Sequence, residues 1–228
     1  MDISVYMPVY NGEEFIKRCI DSVLSSEFNG EFEFVIVDDG SEDKTVELIE
    51  SYDDSRIKLF KCEHKGIVDA SNFALAQCSG KYIARIDCDD TMTSDRLQKQ
   101  YDFLESHKEY GMCHCGCRFH DGKRSFKHLP MDFEITHLGL LLGVAMVHSF
   151  IMYRSDLNLS YDKEYEWAED IHLYLKASYD DVKIYNIKDV LCHKYFHKQT
   201  IGATKSKAVK ETHFKVKKYY AQLNNKKK

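Results

Sequence analysis

Phe32-Glu33-Phe34-Val35-Ile36-Val37-Asp38-Asp39-Gly40-Ser41 is an almost continuous apolar run that breaks abruptly into two acids and a glycine. A strand covered by helices on both faces reads this way, because neither row of side chains meets water. Toward the amino terminus, Ile3 to Met7 is a shorter apolar strand that Pro8 is expected to end, and Ile16, Cys19, Ile20, Val23 and Leu24 follow helical spacing. Toward the carboxyl terminus, Val46 and Ile49 mark a short helix, opened by Ser41 or Asp43 as its cap. Ile57 to Cys62 reads as a third strand, Val68 to Cys78 as a helix and Lys81 to Ile86 as a fourth strand. Repeated strand–helix units imply a parallel sheet with right-handed crossovers. Ligands of such sheets bind beyond the carboxyl ends of the strands.

The residues at those ends are chemically unusual. Pro8-Val9-Tyr10-Asn11-Gly12 follows the first strand, Asp38-Asp39-Gly40-Ser41-Glu42-Asp43 the second and Asp87-Cys88-Asp89-Asp90 the fourth. Carboxylates at the end of an apolar strand are costly to desolvate unless a cation or hydrogen-bond donors meet them. Three within four residues suit a hard divalent cation with oxygen ligands; the bland alternative is an exposed acidic turn capping a helix near Asp95. Neither Gly-x-Gly-x-x-Gly nor Gly-x-x-x-x-Gly-Lys-Ser/Thr is present, so the glycine-rich phosphate cradles are absent. A nucleotide bound here would need its phosphates neutralised by a metal, which points to metal-dependent users of nucleotide-linked substrates.

Composition bounds the rest. The chain has 228 residues, 43% of them hydrophobic and 13% aromatic, with 2 Pro and 11 Gly, which excludes a disordered, collagen-like or linker-dominated chain. The formal net charge is -5, unevenly spread: Lys205 to Lys228 holds nine Lys and one acid, a local +8 that leaves -13 on residues 1–204. An acidic body with a basic tail is a poor partner for nucleic acid. No basic leader precedes an apolar segment at Met1, so no signal peptide is visible. Ile135 to Tyr153 lacks Asp, Glu, Lys and Arg, but its purely apolar part, Leu138 to Val147, is about half of the roughly 20 residues a membrane helix needs. It is expected to be a buried segment. The eight Cys are then free thiols of a cytoplasmic protein. Cys113, Cys115 and Cys117 alternate, which places them on one face of a strand as small buried side chains instead of at zinc-ligand spacing. Asp121-Gly122 marks a hairpin turn between Arg118 and Lys127.

In this order and spacing, Pro8-Val9-Tyr10-Asn11, Val37-Asp38-Asp39-Gly40-Ser41 with Asp43, Asn72, Ser79-Gly80-Lys81-Tyr82-Ile83 and Ile86-Asp87-Cys88-Asp89-Asp90 resemble family 2 glycosyltransferases of the GT-A fold. The likeness is specific over residues 1–100 and looser through Trp167-Ala168-Glu169-Asp170 to about Thr200. It implies an α/β domain with a Rossmann-like, mostly parallel sheet flanked by helices. Residues 1–204 would form that domain, 1–100 its nucleotide-sugar half and 101–204 its acceptor half, with 205–228 a helical basic tail.

The resemblance also implies roles. Pro8, Val9, Tyr10 and Asn11 would hold the nucleobase and ribose of a nucleotide-sugar donor, UDP-linked, with Asp39 accepting from the uracil imide N–H. Asp89 would be the principal ligand of Mn²⁺ or Mg²⁺, and Asp87 or Asp90 would bind ribose or metal-bound water, Cys88 lying between them in the motif. Glu169-Asp170 would open an acceptor-side helix also carrying Trp167, Ile171, Tyr174 and Leu175, with Asp170 as general base of an inverting transfer to a glycan, lipid-linked or protein acceptor. His197 of Lys194-Tyr195-Phe196-His197 would lie near the metal, with His193 as an alternative. The family's Arg in that element is Tyr195 here, and Lys194 or Lys198 could replace its charge. A second family Arg is Ser71, with Lys65 or Arg85 as substitutes; a Pro after the acidic motif is missing from Ser94-Asp95-Arg96. Trp167, His148 and Arg154 are expected acceptor or sugar contacts. The tail is either an amphipathic helix packed on the body and ending in solvated Lys226-Lys227-Lys228, or a peripheral contact with anionic lipid headgroups. The competing functions are a nucleotidyltransferase, which the acidic Asn11-Gly12-Glu13-Glu14 disfavours, and a non-catalytic nucleotide-sugar or glycan binder.

Overall fold

The computed structural model describes residues 1–122, 124–144, 146–197 and 206–227, the side chains of Ser206 and of 225–227 excepted. Lys198, Thr200, the boundary at 204/205 and the Lys226–Lys228 side chains therefore lie outside the described residues. The amino-terminal half runs β1 (Ile3–Val9), α1 (Ile16–Leu24), β2 (Phe32–Asp38), α2 (Thr45–Glu50), β3 (Ile57–Lys61), α3 (Ile67–Gln77) and β4 (Tyr82–Arg85). Next come β5 (Thr91–Met92), α4 (Arg96–Ser106), β6 (Tyr110–His120), β7 (Ser125–His128), β8 (Phe133–Ile135), α5 (His137–Leu142), β9 (Met152–Arg154), α6 (Glu169–Tyr179), β10 (Lys183–Tyr195) and α7 (Ser206–Lys227). The main path of the sheet has the order β3-β2-β1-β4-β9-β6-β10-β5. The four strands of the first half are parallel, β9 runs antiparallel between β4 and β6, and β10 is again parallel to β6.

Strand alternation sorts the core into two layers. Ile3, Val5, Met7 and Val9, Phe34 and Ile36, and Cys113, Cys115 and Cys117 face α1 and α4, packing on Ile16, Cys19, Ile20, Leu97 and Leu104. Tyr6, Val35, Val37 and Ile83 face the other side, where α3, α6 and α7 supply Ala74, Ile171, Leu175, Val216 and Tyr220. The three alternating cysteines are thus buried strand thiols of one layer. Glu33, the acid inside the apolar run of β2, is 1% exposed. Ser4, Lys58 and both the backbone and the hydroxyl of Ser79 hydrogen-bond its carboxylate. Burial pushes this carboxyl up, but those bonds outweigh burial and bring it to about 2.

Several boundaries differ from the sequence reading. Pro8 does not end β1, which continues to Val9. Its ring stands on the β4 side, where pairing has stopped at Arg85, so no ladder hydrogen bond is lost. Asp43, and not Ser41, takes the first N–H of α2, that of Thr45, at 2.9 Å. The stretch 138–147 is not buried as a whole: α5 packs through Leu140 and leaves Leu138 and Leu142 60% and 79% exposed. A two-turn helix can turn only one stripe to the core. Among the described residues no helix is long and apolar enough to cross a membrane. The basic tail is helix α7, tied to α6 through buried Val216 and Tyr220.

Candidate functional site

The carboxyl ends of β1, β2 and β4 meet at one edge of the sheet. Asn11, at φ +50°, donates its N–H to Ser41 Oγ at 2.8 Å and accepts the Glu42 N–H at the same distance, locking the first strand-end loop to the second. Gly40 holds φ +75°, and a Cβ there would stand 2.8 Å from the His64 backbone nitrogen, so only glycine lets this turn close on the loop after β3. Pro8 and Val9 are buried within the strand, so they shape the loop from beneath, while Tyr10 is exposed and stacks on His64 with centroids 4.1 Å apart. Cys88 lies under the same loop: a Cβ on Gly12 would sit 3.2 Å from its Sγ.

Asp39 is 4% exposed. Its oxygens accept the backbone N–H groups of Lys65 at 2.9 Å and Gly66 at 3.0 Å, just ahead of α3, where a negative charge is favoured by the helix dipole. His64 Nδ1 lies 2.8 Å from Oδ2. A carboxylate has about four lone-pair sites, so one more donor can still be accepted. The Lys65 side chain is exposed. His64 was missed by the sequence reading, although it follows the third strand end to which the strand-end rule points.

The acidic cluster sits after β4. One oxygen from each of Asp87, Asp89 and Asp90 falls within 4.8 Å of the others, and among the described residues this is the one such group of potential metal ligands. The three carboxylates differ in their surroundings. Asp89 Oδ2 lies 2.8 Å from His197 Nε2, so the structure brings together two residues 108 positions apart that the resemblance paired with a metal. Asp87 receives the Arg85 Nε–H at 3.0 Å, and burial, which alone would raise its carboxyl, is outweighed by Arg85 and Lys194, holding it far below the usual range. Asp90 is fully buried. Its Oδ2 accepts from Ser149 Oγ at 2.6 Å and from Lys194 Nζ at 3.1 Å, and its Oδ1 from the Tyr195 N–H at 3.3 Å. Burial raises it to about 7 despite Lys194. Three donors thus hold Asp90 from below, while one of its oxygens stays within 4.8 Å of those of Asp87 and Asp89. The oxygen and imidazole donors of Asp89, Asp87 and His197 still fit Mn²⁺ or Mg²⁺. Lys194 supplies the cation at the element where Tyr195 stands in place of Arg. His193 instead lies 2.9 Å from His120, while His197 is the one of the two that meets Asp89.

Arg85 is the hub beneath the cluster, 2% exposed. It donates to Asp87, to Ser71 Oγ at 3.2 Å and to the Tyr161 hydroxyl at 3.2 Å. Of the two proposed substitutes for the missing Arg at 71, Arg85 is thus the one placed against Ser71. Asn72 clamps the loop that carries Tyr161, donating to its carbonyl at 2.9 Å and accepting its N–H at 2.8 Å. His148 joins this buried network, between the hydroxyls of Tyr174 and Tyr161. Burial, and then Arg85, hold its imidazole well below its usual pKa, and both ring nitrogens are engaged by those hydroxyls, so it lies inside the network, a correction to its expected sugar contact. Arg154 is a second correction. It pairs with Tyr82 at the amino end of β4 and donates to the Tyr110 and Leu104 carbonyls and the Tyr82 hydroxyl. Five residues from there to Asp87 is about 16 Å of strand.

On the acceptor side α6 begins at Glu169, so Trp167 precedes the helix, at φ +74°, instead of belonging to it. Burial, then the neighbouring Asp170, raise Glu169 to about 7, and its Oε2 has no hydrogen-bond partner among the described residues. The Asp170 side chain is 30% exposed, accepts the Ile171 N–H at 2.6 Å and lies 3.8 Å from His213 of α7. Neither Ser149 nor His213 could be found from sequence, because nothing local marks a residue whose partner is distant in the chain.

Comparison with known proteins bears on the family and the fold. Residues 4–166 match the model of glycosyl transferase family 2. The chain is 27% identical to the chondroitin synthase of Escherichia coli over 94% of its own length but only 32% of that protein. Staphylococcus aureus TarS in complex with UDP-GlcNAc superposes with a TM-score of 0.74 at 24% identity, covering 86% of this chain and 59% of that one. The mannosyltransferase PcManGT of Pyrobaculum calidifontis, in complex with GDP-Man and Mn²⁺, gives 0.69 at 20% identity, covering 89% and 59%. At these identities the two structures establish the fold alone, and the chain spans three fifths or less of all three proteins. The family match covers well over half of the chain: this protein belongs to glycosyl transferase family 2.

Proposed function

We propose that the chain transfers a hexosyl or N-acetylhexosaminyl group from a UDP-linked donor to a hydroxyl of a glycan, lipid-linked or protein acceptor, with inversion. The observation that carries this reading is the set of three strand-end carboxylates within 4.8 Å, with His197 on Asp89, at the sheet edge where ligands bind. Asp89 and His197, with Asp87 beside them, would hold Mn²⁺ or Mg²⁺. A bound metal neutralises the diphosphate and stabilises charge on the leaving group. Tyr10 and His64 frame the nucleobase, Asp39 accepts its imide N–H, and Asn11 fixes the loop against the ribose. Asp170, on the first turn of a helix and part-exposed, takes the acceptor proton; Glu169 and Trp167 shape the approach. The protein acts in the cytoplasm, at the membrane surface through α7, where lysines accompany exposed Phe214 and Tyr219.

Calorimetry with UDP and GDP in Mn²⁺ tests the donor half. Wild type binds one of them only with metal, and Asp89→Asn removes the metal-dependent part. Failure of wild type to bind either would overturn the proposal. Asp170→Asn keeps donor binding and loses transfer; wild-type turnover in that variant means the base is another residue.

A further inference from the structure

Helix α1 brings an arginine to the rim of the acidic cluster. The Arg18 guanidinium carbon stands 3.7 Å from the centre of the Tyr195 ring, and one Nη–H donates to the Asp89 backbone carbonyl at 3.0 Å. His120 stacks on the same Tyr195 ring, with centroids 4.7 Å apart and planes 13° from parallel. Three residues before Arg18, the ring of Phe15 lies 4.3 Å from that of His197. One face of α1 is thus joined by two ring contacts to the Tyr195–His197 segment that closes over Asp89.

The carboxylates around Arg18 already have other partners: Asp87 has Arg85, Asp90 has Lys194 and Asp89 has the His197 imidazole. Among the described residues no carboxylate forms an ion pair with Arg18, and its side chain is exposed. A guanidinium carries five N–H donors, and one of them is used. Stacking on an aromatic ring fixes the plane of the group and lowers the ordering cost of using the rest. An oriented fork of N–H donors with no carboxylate of its own is the arrangement that takes two oxygens of a phosphate.

We infer that Arg18, held flat on Tyr195, binds a phosphate of the donor diphosphate lying over Asp89 and His197. Tyr195 is its platform. This rests on the donor reading above, and the test separates the two. UDP and uridine are titrated into the full chain with Mn²⁺, uridine by competition. Arg18→Gln weakens UDP at least tenfold and leaves uridine within twofold, since a charge-assisted hydrogen bond contributes about 1.5–3 kcal/mol. Arg18→Lys recovers only part of the loss, having charge but no fork. Tyr195→Phe binds UDP like wild type, and Tyr195→Ala falls toward Arg18→Gln. Mn²⁺ binding without nucleotide, followed by electron paramagnetic resonance, is unchanged in Arg18→Gln. The inference is overturned if wild type binds UDP and Arg18→Gln matches it within twofold. An equal loss for uridine, or a loss of Mn²⁺ binding alone, overturns it too, because Arg18 would then act only by supporting Asp89. Wild type that binds neither UDP nor GDP refutes the donor reading itself.

Discussion

Replacing Arg85 by Leu removes the guanidinium paired with Asp87 while keeping an apolar stem in its buried place. The structure sets the size of the effect. The guanidinium is 2% exposed and donates to Asp87 at 3.0 Å and to Ser71 and Tyr161 at 3.2 Å each. Asp87 is 30% exposed and also feels Lys194, so losing the guanidinium costs less than breaking a fully buried pair, about 2–3 kcal/mol. For a domain of this size each kcal/mol lowers Tm by about 2–4 °C, so Arg85→Leu should melt about 4–12 °C below wild type. Arg85→Lys keeps the charge without the fork and should lose less than half of that. Thermal unfolding by circular dichroism reads the stability, and calorimetry with UDP and Mn²⁺ reads the site, which should weaken in Arg85→Leu since Asp87 loses its orientation. A melting point within 2 °C of wild type would refute the view of Arg85 as the support of the acidic cluster.

Three further outcomes concern groups away from the reacting atoms. The Glu33 carboxyl, about 2 when folded against an ordinary 4.5, adds stability that is complete above about pH 4.5 and is lost as pH falls toward 2. Urea unfolding should therefore show the gap between wild type and Glu33→Gln narrowing by about 1 kcal/mol from pH 6 to pH 3.5; a constant gap would exclude an ionised Glu33. For α7, Val216→Ala should cost about 1.5 kcal/mol, as Val216 is fully buried. Charge reversal of Lys210 and Lys218 should leave Tm within 1 °C yet release the protein from anionic vesicles in co-sedimentation. Binding that persists, or that is equal for neutral vesicles, rules out membrane contact through these lysines.

What the sequence determined by itself is the half of the molecule where chemistry and order along the chain coincide. The run from Phe32 to Ser41 is apolar enough to need helices on both faces and then switches to Asp38 and Asp39, and this pattern locates a parallel strand and its ligand end together. The same logic applied to Asp87, Asp89 and Asp90 led to the acidic cluster, because a strand end and a run of acids are both local signals. Tertiary structure alone decided how those groups differ from one another. Asp89 and Asp90 are neighbours in sequence, yet one meets His197 and the other is buried on Lys194 and Ser149, since the carboxyl end of β10 and the one-turn helix His148–Phe150 converge from opposite sides. Arg154 and His148 show the reverse case: resemblance to an acceptor-side strand suggested sugar contacts, but strand direction put Arg154 at the far end of β9 and packing enclosed His148. Arg18 and His213 carried no signal in the sequence, because a helix face acquires meaning only from what it packs against. Hydrophobic pattern and acid placement are one-dimensional quantities; which carboxylate is free and which is paired depends on distances across the sheet edge that no spacing along the chain encodes.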